Sequence, residues 1–334
     1  MIKANRLSSD GKFLESIRTH KKSIELGKQI PAPNEYSFPW YWDYSNLAEV
    51  YPELGEVDKA HQTILKYIEA RDNDPRDALY AYPIANIGRV LLEKGDTEGA
   101  RRYLREALKF VLKSEEPVAI GDMYKHLFDL SLAEANLKEA KLVSEKIQQL
   151  YEKNSSQDRL RDQSDLTHAI ILKKSTNVRD RIKAQDLLLE LIERLDFYYA
   201  NLITASNHLC ETYLEEIKLY GHEEAFDKAQ VLIDRINGIA KEQQSMKFLV
   251  KSYLLQARLK PITGEFEQAE AIFHQAELIC EEKNLVALGV RVKSEKSGFE
   301  EDLTQMQQLL NRNASIQERL KQAIFSPISM RRSI

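Results

Sequence analysis

Seven small residues recur along the chain at nearly constant spacing. They are Ser16, Ala60, Ala100, Ala140, Ala184, Ala229 and Ala269, separated by 44, 40, 40, 44, 45 and 40 residues. Self-similarity at such a period marks one supersecondary unit repeated and stacked on itself. The setting of each small residue is also similar. In NIGRVLLEKGDTEGARRYLREAL (Asn86 to Leu108), Gly95 falls in a turn between two helical patterns and Asp96 is placed as an N-cap. Ala100, Leu104 and Ala107 then share one face of the second helix. NLAEVYPELGEVDKAHQTILKYI repeats the pattern with Leu47, Ala48, Tyr51, Gly55, Ala60 and Ile64, and HLFDLSLAEANLKEAKLVSEKI repeats it with Ala135, Asn136 and Ala140. Later units centre on Ala184, on Ala229, and on Gly264, Ala269, Phe273 and Ala276, while Gly11 and Ser16 open the series. The small side chains have a physical cause. Where two helices cross closely, anything beyond a methyl pushes them apart.

The rest of the sequence agrees with an all-α chain. No proline occurs between Pro117 and Pro261, and the stretch is rich in Leu, Ala, Glu, Lys and Gln. Alternating Val/Ile/Thr runs that would form strands are missing. Hydrophobic residues make up 43% and charged residues 30%, a balance that belongs to ordered rather than disordered chains. The net charge is -4 from 52 acidic and 48 basic side chains, without the basic excess of a nucleic-acid binder. No apolar run approaches the roughly 20 residues needed to span a bilayer. The first residues, MIKANRLSSDGKFL, contain no apolar core of a secretory signal. Cys210 and Cys280 each fall in an apolar helical pattern and are expected to be buried reduced thiols, which points to the cytoplasm.

Gly88, Leu91, Gly95, Ala100, Leu104 and Ala107 match the signature positions of tetratricopeptide repeats (TPRs): small, apolar, glycine, alanine, apolar, alanine. Ala48, Tyr51, Gly55, Ala60 and Ile64 match in the preceding unit, which Pro75 closes. The chain therefore resembles the TPR family, in a long-period variant of 40 to 45 residues instead of 34. The units around Ala184 and Ala229 depart from the signature. The resemblance implies a right-handed α-solenoid of about seven helix-turn-helix repeats with a C-terminal capping helix. It divides the chain into a truncated first repeat and loop (1–36), the repeat array (37–283), one or two capping helices (284–325) and a disordered tail (326–334). Ile2, Phe13, Leu14 and Ile17 are expected to leave an apolar edge at the first repeat, so the chain is a monomer or a dimer through that edge. Ser315 and Glu318 form a capping-box pattern near the other end.

The same resemblance puts the first helix of each unit on the concave wall. The inward positions are Trp42, Ser45, Asn46, Glu49 and Glu53 in one unit. They are Tyr82, Ala85, Asn86, Arg89 and Glu93 in the next, and Asp122, Lys125, His126, Asp129 and Ala133 in the third. Trp42, Asn46, Tyr82, Asn86, Arg89, Lys125 and Asp129 are the candidate peptide-binding residues. Asn46 and Asn86 share the position at which peptide-binding repeats hold a ligand's backbone, and an amide supplies both donor and acceptor for it. Arg89 and Lys125 are placed to meet a carboxylate. Ser45, Glu49 and Asp122 depart from the family's terminal-carboxylate clamp. Trp40 is expected to pack against a neighbouring unit and Trp42 to anchor a ligand.

Catalytic and metal signatures are missing. There is no phosphate-binding loop, no H-E-x-x-H and no C-x-x-C. No two of the seven histidines lie three or four residues apart. DNDPRD (Asp72 to Asp77) lacks the glycine and the final glutamate of a calcium loop and reads as a polar link. The expected function is a non-catalytic scaffold that needs no cofactor and holds a partner protein's peptide or helix, without nucleic-acid or membrane binding. The alternative is a sensor module whose groove takes a small molecule or signalling peptide.

Overall fold

A computed structural model describes residues 2–29, 40–71, 81–194, 199–220, 222–315 and 318–319. The loop of residues 30–37, the DNDPRD link with Pro75, and the 326–334 tail lie outside the described residues. Two compact units divide the chain, Met1–Leu202 and Ile203–Ile334.

The first unit is a series of antiparallel helix pairs. They are α1 (Ile2–Ser9) with α2 (Phe13–Gly27), α3 (Trp42–Val50) with α4 (Val57–Arg71), and α5 (Ala81–Glu93) with α6 (Thr97–Ser114). Two further pairs follow, α7 (Pro117–Ala133) with α8 (Leu137–Lys153) and α9 (Asp158–Lys173) with α10 (Val178–Arg194). Each second helix also packs on the first helix of the following pair, as α2 on α3, α4 on α5, α6 on α7 and α8 on α9. The periodic small residues lie on the second helices. Ser16, Ala60, Ala100, Ala140 and Ala184 are all at 0% exposure, so each marks a sealed crossing. In the α5/α6 crossing the larger neighbours Leu104 and Val111 complete the buried face with Ala100 and Ala107.

The turns follow the sequence closely. Asp96 caps α6 by accepting from the Gly99 amide at 2.8 Å, and Asn136 caps α8 by accepting from the Glu139 amide at 3.2 Å. The residue before each cap is left-handed: Gly95 at φ 84° and Ala135 at φ 55°. Alanine is strained there and glycine is not. Ala135→Gly is expected to stabilise the fold by about 1 kcal/mol, read as a higher urea midpoint with unchanged slope.

In one respect the first repeat differs from expectation. Phe13 and Ile17 are buried, at 3% and 7% exposure, because α1 folds back over α2. Ala4 faces the crossing, and the Ser16 hydroxyl donates to the Ala4 carbonyl at 2.8 Å. Only Ile2 and Leu14 of the anticipated apolar edge remain exposed.

The second unit holds α11 (Tyr199–Tyr220), α12 (Glu223–Glu242), α13 (Met246–Leu259), α14 (Phe266–Glu282) and α15 (Val286–Asn311), with α11 beginning just before the division. Ala229 on α12 and Ala269 on α14 are again at 0% exposure. The Cys210 thiol lies against the Ala229 carbonyl at 4.0 Å. Both cysteines are buried and neither is in a disulfide, and burial pushes the Cys280 thiol up to about 11, which keeps it protonated and inert. A single helix, α15, covers α14 and reaches α13. Phe299 meets Phe273 at 5.6 Å between ring centres. Beyond α15 the Ser315 hydroxyl accepts from the Glu318 amide at 3.2 Å while Glu318 accepts from the Ser315 amide at 3.0 Å, a reciprocal capping box.

Candidate functional site

The first helices α3, α5, α7 and α9 lie side by side and form one wall of the first unit. Residues separated by about one repeat meet across it. The Asn86 amide on α5 donates to the Ser45 carbonyl and hydroxyl on α3, at 3.1 and 3.2 Å. Arg89 donates to the Asn86 side-chain oxygen at 3.1 Å and pairs with Glu49 on α3 at 3.3 Å. One helix further on, the Tyr82 hydroxyl donates to Asp122 of α7 at 3.0 Å. Asp122 also accepts from Arg159 at 2.9 Å and Gln163 at 2.6 Å, both on α9. Lys125 and Asp129 pair along α7 at 2.6 Å. The result is a polar line that passes from helix to helix.

Its electrostatics are set by burial. Burial pushes the Asp122 carboxyl above the usual carboxylate range, although Arg159, Gln163 and Tyr82 all favour its ionised form. Burial and the nearby Asp122 carboxylate push the Tyr82 phenol up as well, so it stays a hydrogen-bond donor. His126 lies half-buried beside Lys125 on α7. Burial, and then Arg89, Lys125 and Arg159 around it, hold its imidazole well below the usual histidine range. It is neutral at pH 7 and can accept or donate one hydrogen bond. The cations belong to three consecutive first helices, and each has an acidic partner: Glu49, Asp129 and Asp122.

The structure brings most of the sequence-derived candidates onto this wall, in roles that differ. Asn86 is buried, and both ends of its amide are taken by Ser45 and Arg89, so it ties α5 to α3. Asn46 is half-buried, and its Nδ2 is sealed from water with no hydrogen-bond partner among the described residues. Trp42 is half-buried at the start of α3, and Tyr82 is 36% exposed. Trp40 packs under Gly27, leaving no room there for a Cβ, and its ring meets Tyr41 and Tyr44 edge-on at 6.0 Å.

Sequence reasoning missed the partners that fix these side chains, Arg159 and Gln163. Their signal was the spacing, since Ser45–Asn86, Tyr82–Asp122 and Asp122–Gln163 are 41, 40 and 41 residues apart. It also missed a buried link between α2 and α3. There Asp43 lies between His20, at 2.5 Å, and the Ser23 hydroxyl, at 2.6 Å. The serine faces the carboxylate and not the imidazole, so this is not a nucleophile–base pair. The second unit has its own network: buried Arg258 on α13 forks onto Glu295 of α15 at 3.0 and 2.7 Å, with Arg291 and Glu211 alongside. Among the described residues no group of three or more His, Cys, Asp or Glu is arranged to hold a metal ion. No described helix is long and apolar enough to cross a membrane.

A family model described as the MalT-like TPR region matches residues 20–288. The chain belongs to this family. Among solved structures, this MalT-like TPR chain is similar to BtubC (BKLC) from P. vanneervenii, with 21% identity and a TM-score of 0.43 over 69% of this chain and 91% of that one. It is also similar to a signal transduction ATPase with numerous domains from Pyrococcus horikoshii, which carries a tetratricopeptide repeat sensor. There the identity is 16% and the TM-score 0.49, over 89% of this chain and 46% of the other. The MalT-like TPR chain thus spans less than half the length of that ATPase. No curated protein matches it.

Proposed function

We propose that the chain is a non-catalytic interaction scaffold that holds a peptide or helix of a partner protein against the wall of α3, α5, α7 and α9. The observation that supports this reading is the polar line from Ser45 to Gln163, whose side chains are held by hydrogen bonds that cross between helices. A wall ordered in advance loses little side-chain freedom when a partner arrives. Trp42 and Tyr82 add partly exposed aromatic surface. Arg89 and Lys125 are paired with Glu49 and Asp129, whose half-exposed carboxylates a partner's could replace.

Capture from the native cell, followed by mass spectrometry, tests the reading. Wild-type chain is expected to recover a partner that Trp42→Ala/Lys125→Ala recovers about tenfold less well, with the helical circular dichroism of the two unchanged. Equal recovery by both proteins would remove the wall from consideration as the binding surface. A sensor would instead show thermal stabilisation by small metabolites that is lost in the same double variant.

A further inference from the structure

The wall of the first unit carries two rows, because the same inward positions recur on successive first helices. Trp42 on α3 and Tyr82 on α5 form one row, and both rings are partly exposed. Glu49 on α3, Arg89 on α5 and Asp129 on α7 form the other. They stand two helical turns beyond Trp42, Tyr82 and Asp122 respectively, on the same faces. One row is thus aromatic over α3 and α5, and the other is charged over α3, α5 and α7.

Two observations decide what fits such a wall. The first concerns backbone. An extended peptide leaves its own N–H and C=O groups for the receptor to satisfy. Asn46 and Asn86 hold the positions from which that would be done. Asn86 is taken by Ser45 and Arg89, and Asn46 Nδ2 is sealed from water. Neither offers the donor that an extended backbone carbonyl requires. An α-helix satisfies its backbone internally and needs only side-chain contacts.

The second observation is which charges stand outermost. The Glu49 side chain is 52% exposed against 25% for Arg89, and that of Asp129 is 44% exposed against 14% for Lys125. In both pairs the carboxylate lies outside its cation. An ionised carboxylate offers about four acceptor sites. Both Asp129 oxygens share the one Lys125 ammonium, at 2.6 and 2.7 Å, and Glu49 meets Arg89 at 3.3 Å. A partner's carboxylate would exchange like for like at these places. A partner's cation adds a contact and leaves the existing pairs in place.

We infer that the occupant of the wall is an amphipathic α-helix, with apolar side chains on Trp42 and Tyr82 and two Lys or Arg side chains on Glu49 and Asp129. This rests on the wall being the binding surface. It also sets a spacing. The first helices α3 and α7 are separated by α5, so at 8–10 Å per neighbour they lie about 16–20 Å apart. Three turns of a bound helix, about eleven residues, span that distance and return to the same face.

Four synthetic peptides of about 20 residues, long enough to form a helix, test the inference by calorimetric titration of the full chain. The first is built of Ala, Gln and Leu with two lysines about eleven residues apart on one face. It is expected to bind with a Kd of about 100 μM or tighter. The others carry glutamates in place of the lysines, a central proline that breaks the helix, or lysines moved to opposite faces. Each is expected to bind at least about tenfold more weakly. Glu49→Gln/Asp129→Asn is expected to keep the fold and weaken the first peptide at least about tenfold, while Glu106→Gln/Glu145→Gln, at exposed acids of α6 and α8, leaves it unchanged. The inference fails if the first peptide does not bind, if any other peptide binds equally tightly, or if the two double variants have equal effects. If Trp42→Ala/Lys125→Ala leaves partner capture unchanged, the wall itself fails and the inference with it. If that variant loses the partner while the glutamate or proline peptide binds as well as the first, the wall stands and the basic helix is overturned.

Discussion

Arg258→Ala is expected to destabilise the protein by about 3–5 kcal/mol. The Arg258 side chain is only 7% exposed and that of Glu295 only 10%. Two parallel hydrogen bonds join them, from Nε and a terminal nitrogen of Arg258 to the two Glu295 oxygens. Forming such a pair gains little over an apolar contact, because both ions lose their hydration. Removing one member is costly, because the other stays buried without its charge partner. Among the described residues Glu295 would keep Arg291 as its cation, at 2.8 Å and 42% exposed. The pH dependence provides an independent check. Burial alone would push the Glu295 carboxyl up, but Arg258 and Arg291 outweigh it and hold the group below its ordinary value. A depressed carboxyl contributes stability that is present above the unfolded pKa of about 4.3 and is lost as pH falls through the folded value. The gap between wild type and Arg258→Ala should therefore narrow as the pH drops below about 4. Urea titrations at pH 7 and at low pH, followed by circular dichroism, measure both effects. A loss under about 1 kcal/mol at pH 7 would place the cluster with surface pairs, which contribute that little.

The fold was legible because its crossings need small residues. Ser16, Ala60, Ala100, Ala140, Ala184, Ala229 and Ala269 could be aligned from spacing alone, and all of them are fully buried. The turns were legible for a similar local reason, since Asp96 and Asn136 cap through their own neighbouring amides. The wall was less legible. Inward-facing positions follow from the repeat, but whether a polar side chain there is free depends on what stands one repeat away. Asn86 reads as a ligand-facing amide until Ser45 is seen across the helix pair, and Asp122 has no evident role until Tyr82 and Gln163 reach it from both sides. Those partners lie 40 or 41 residues away, beyond any local pattern. Phe13 and Ile17 failed as an exposed edge for the same reason, because their cover comes from α1 turning back through Gly11.

The second large effect follows from the feature that made the fold readable. Ala100→Leu is expected to cost about 1–3 kcal/mol through overpacking. Ala100 is at 0% exposure on α6, directly opposite Gly88 of α5. The space on the α5 side is already closed. A Cβ placed at Gly88 would come within 2.8 Å of Leu104 Cγ and 3.1 Å of the Ala100 carbonyl oxygen. The extra atoms at position 100 therefore have no void to enter, and relief requires α5 and α6 to separate. Separation would in turn loosen the Leu104 packing and shift Asn86 and Arg89, which sit on α5. Leu142→Ala is a suitable control, because Leu142 lies on the equivalent helix α8 only two residues after Ala140 yet is 53% exposed. It is expected to change stability by less than about 0.5 kcal/mol. If Ala100→Leu proved as mild as this control in urea unfolding, close approach would not explain the repeated small residues. If it is costly at position 100 and equally costly as Ala140→Leu at the next crossing, the same packing constraint acts at both repeats, and the 40-residue spacing is the physical signature of that constraint.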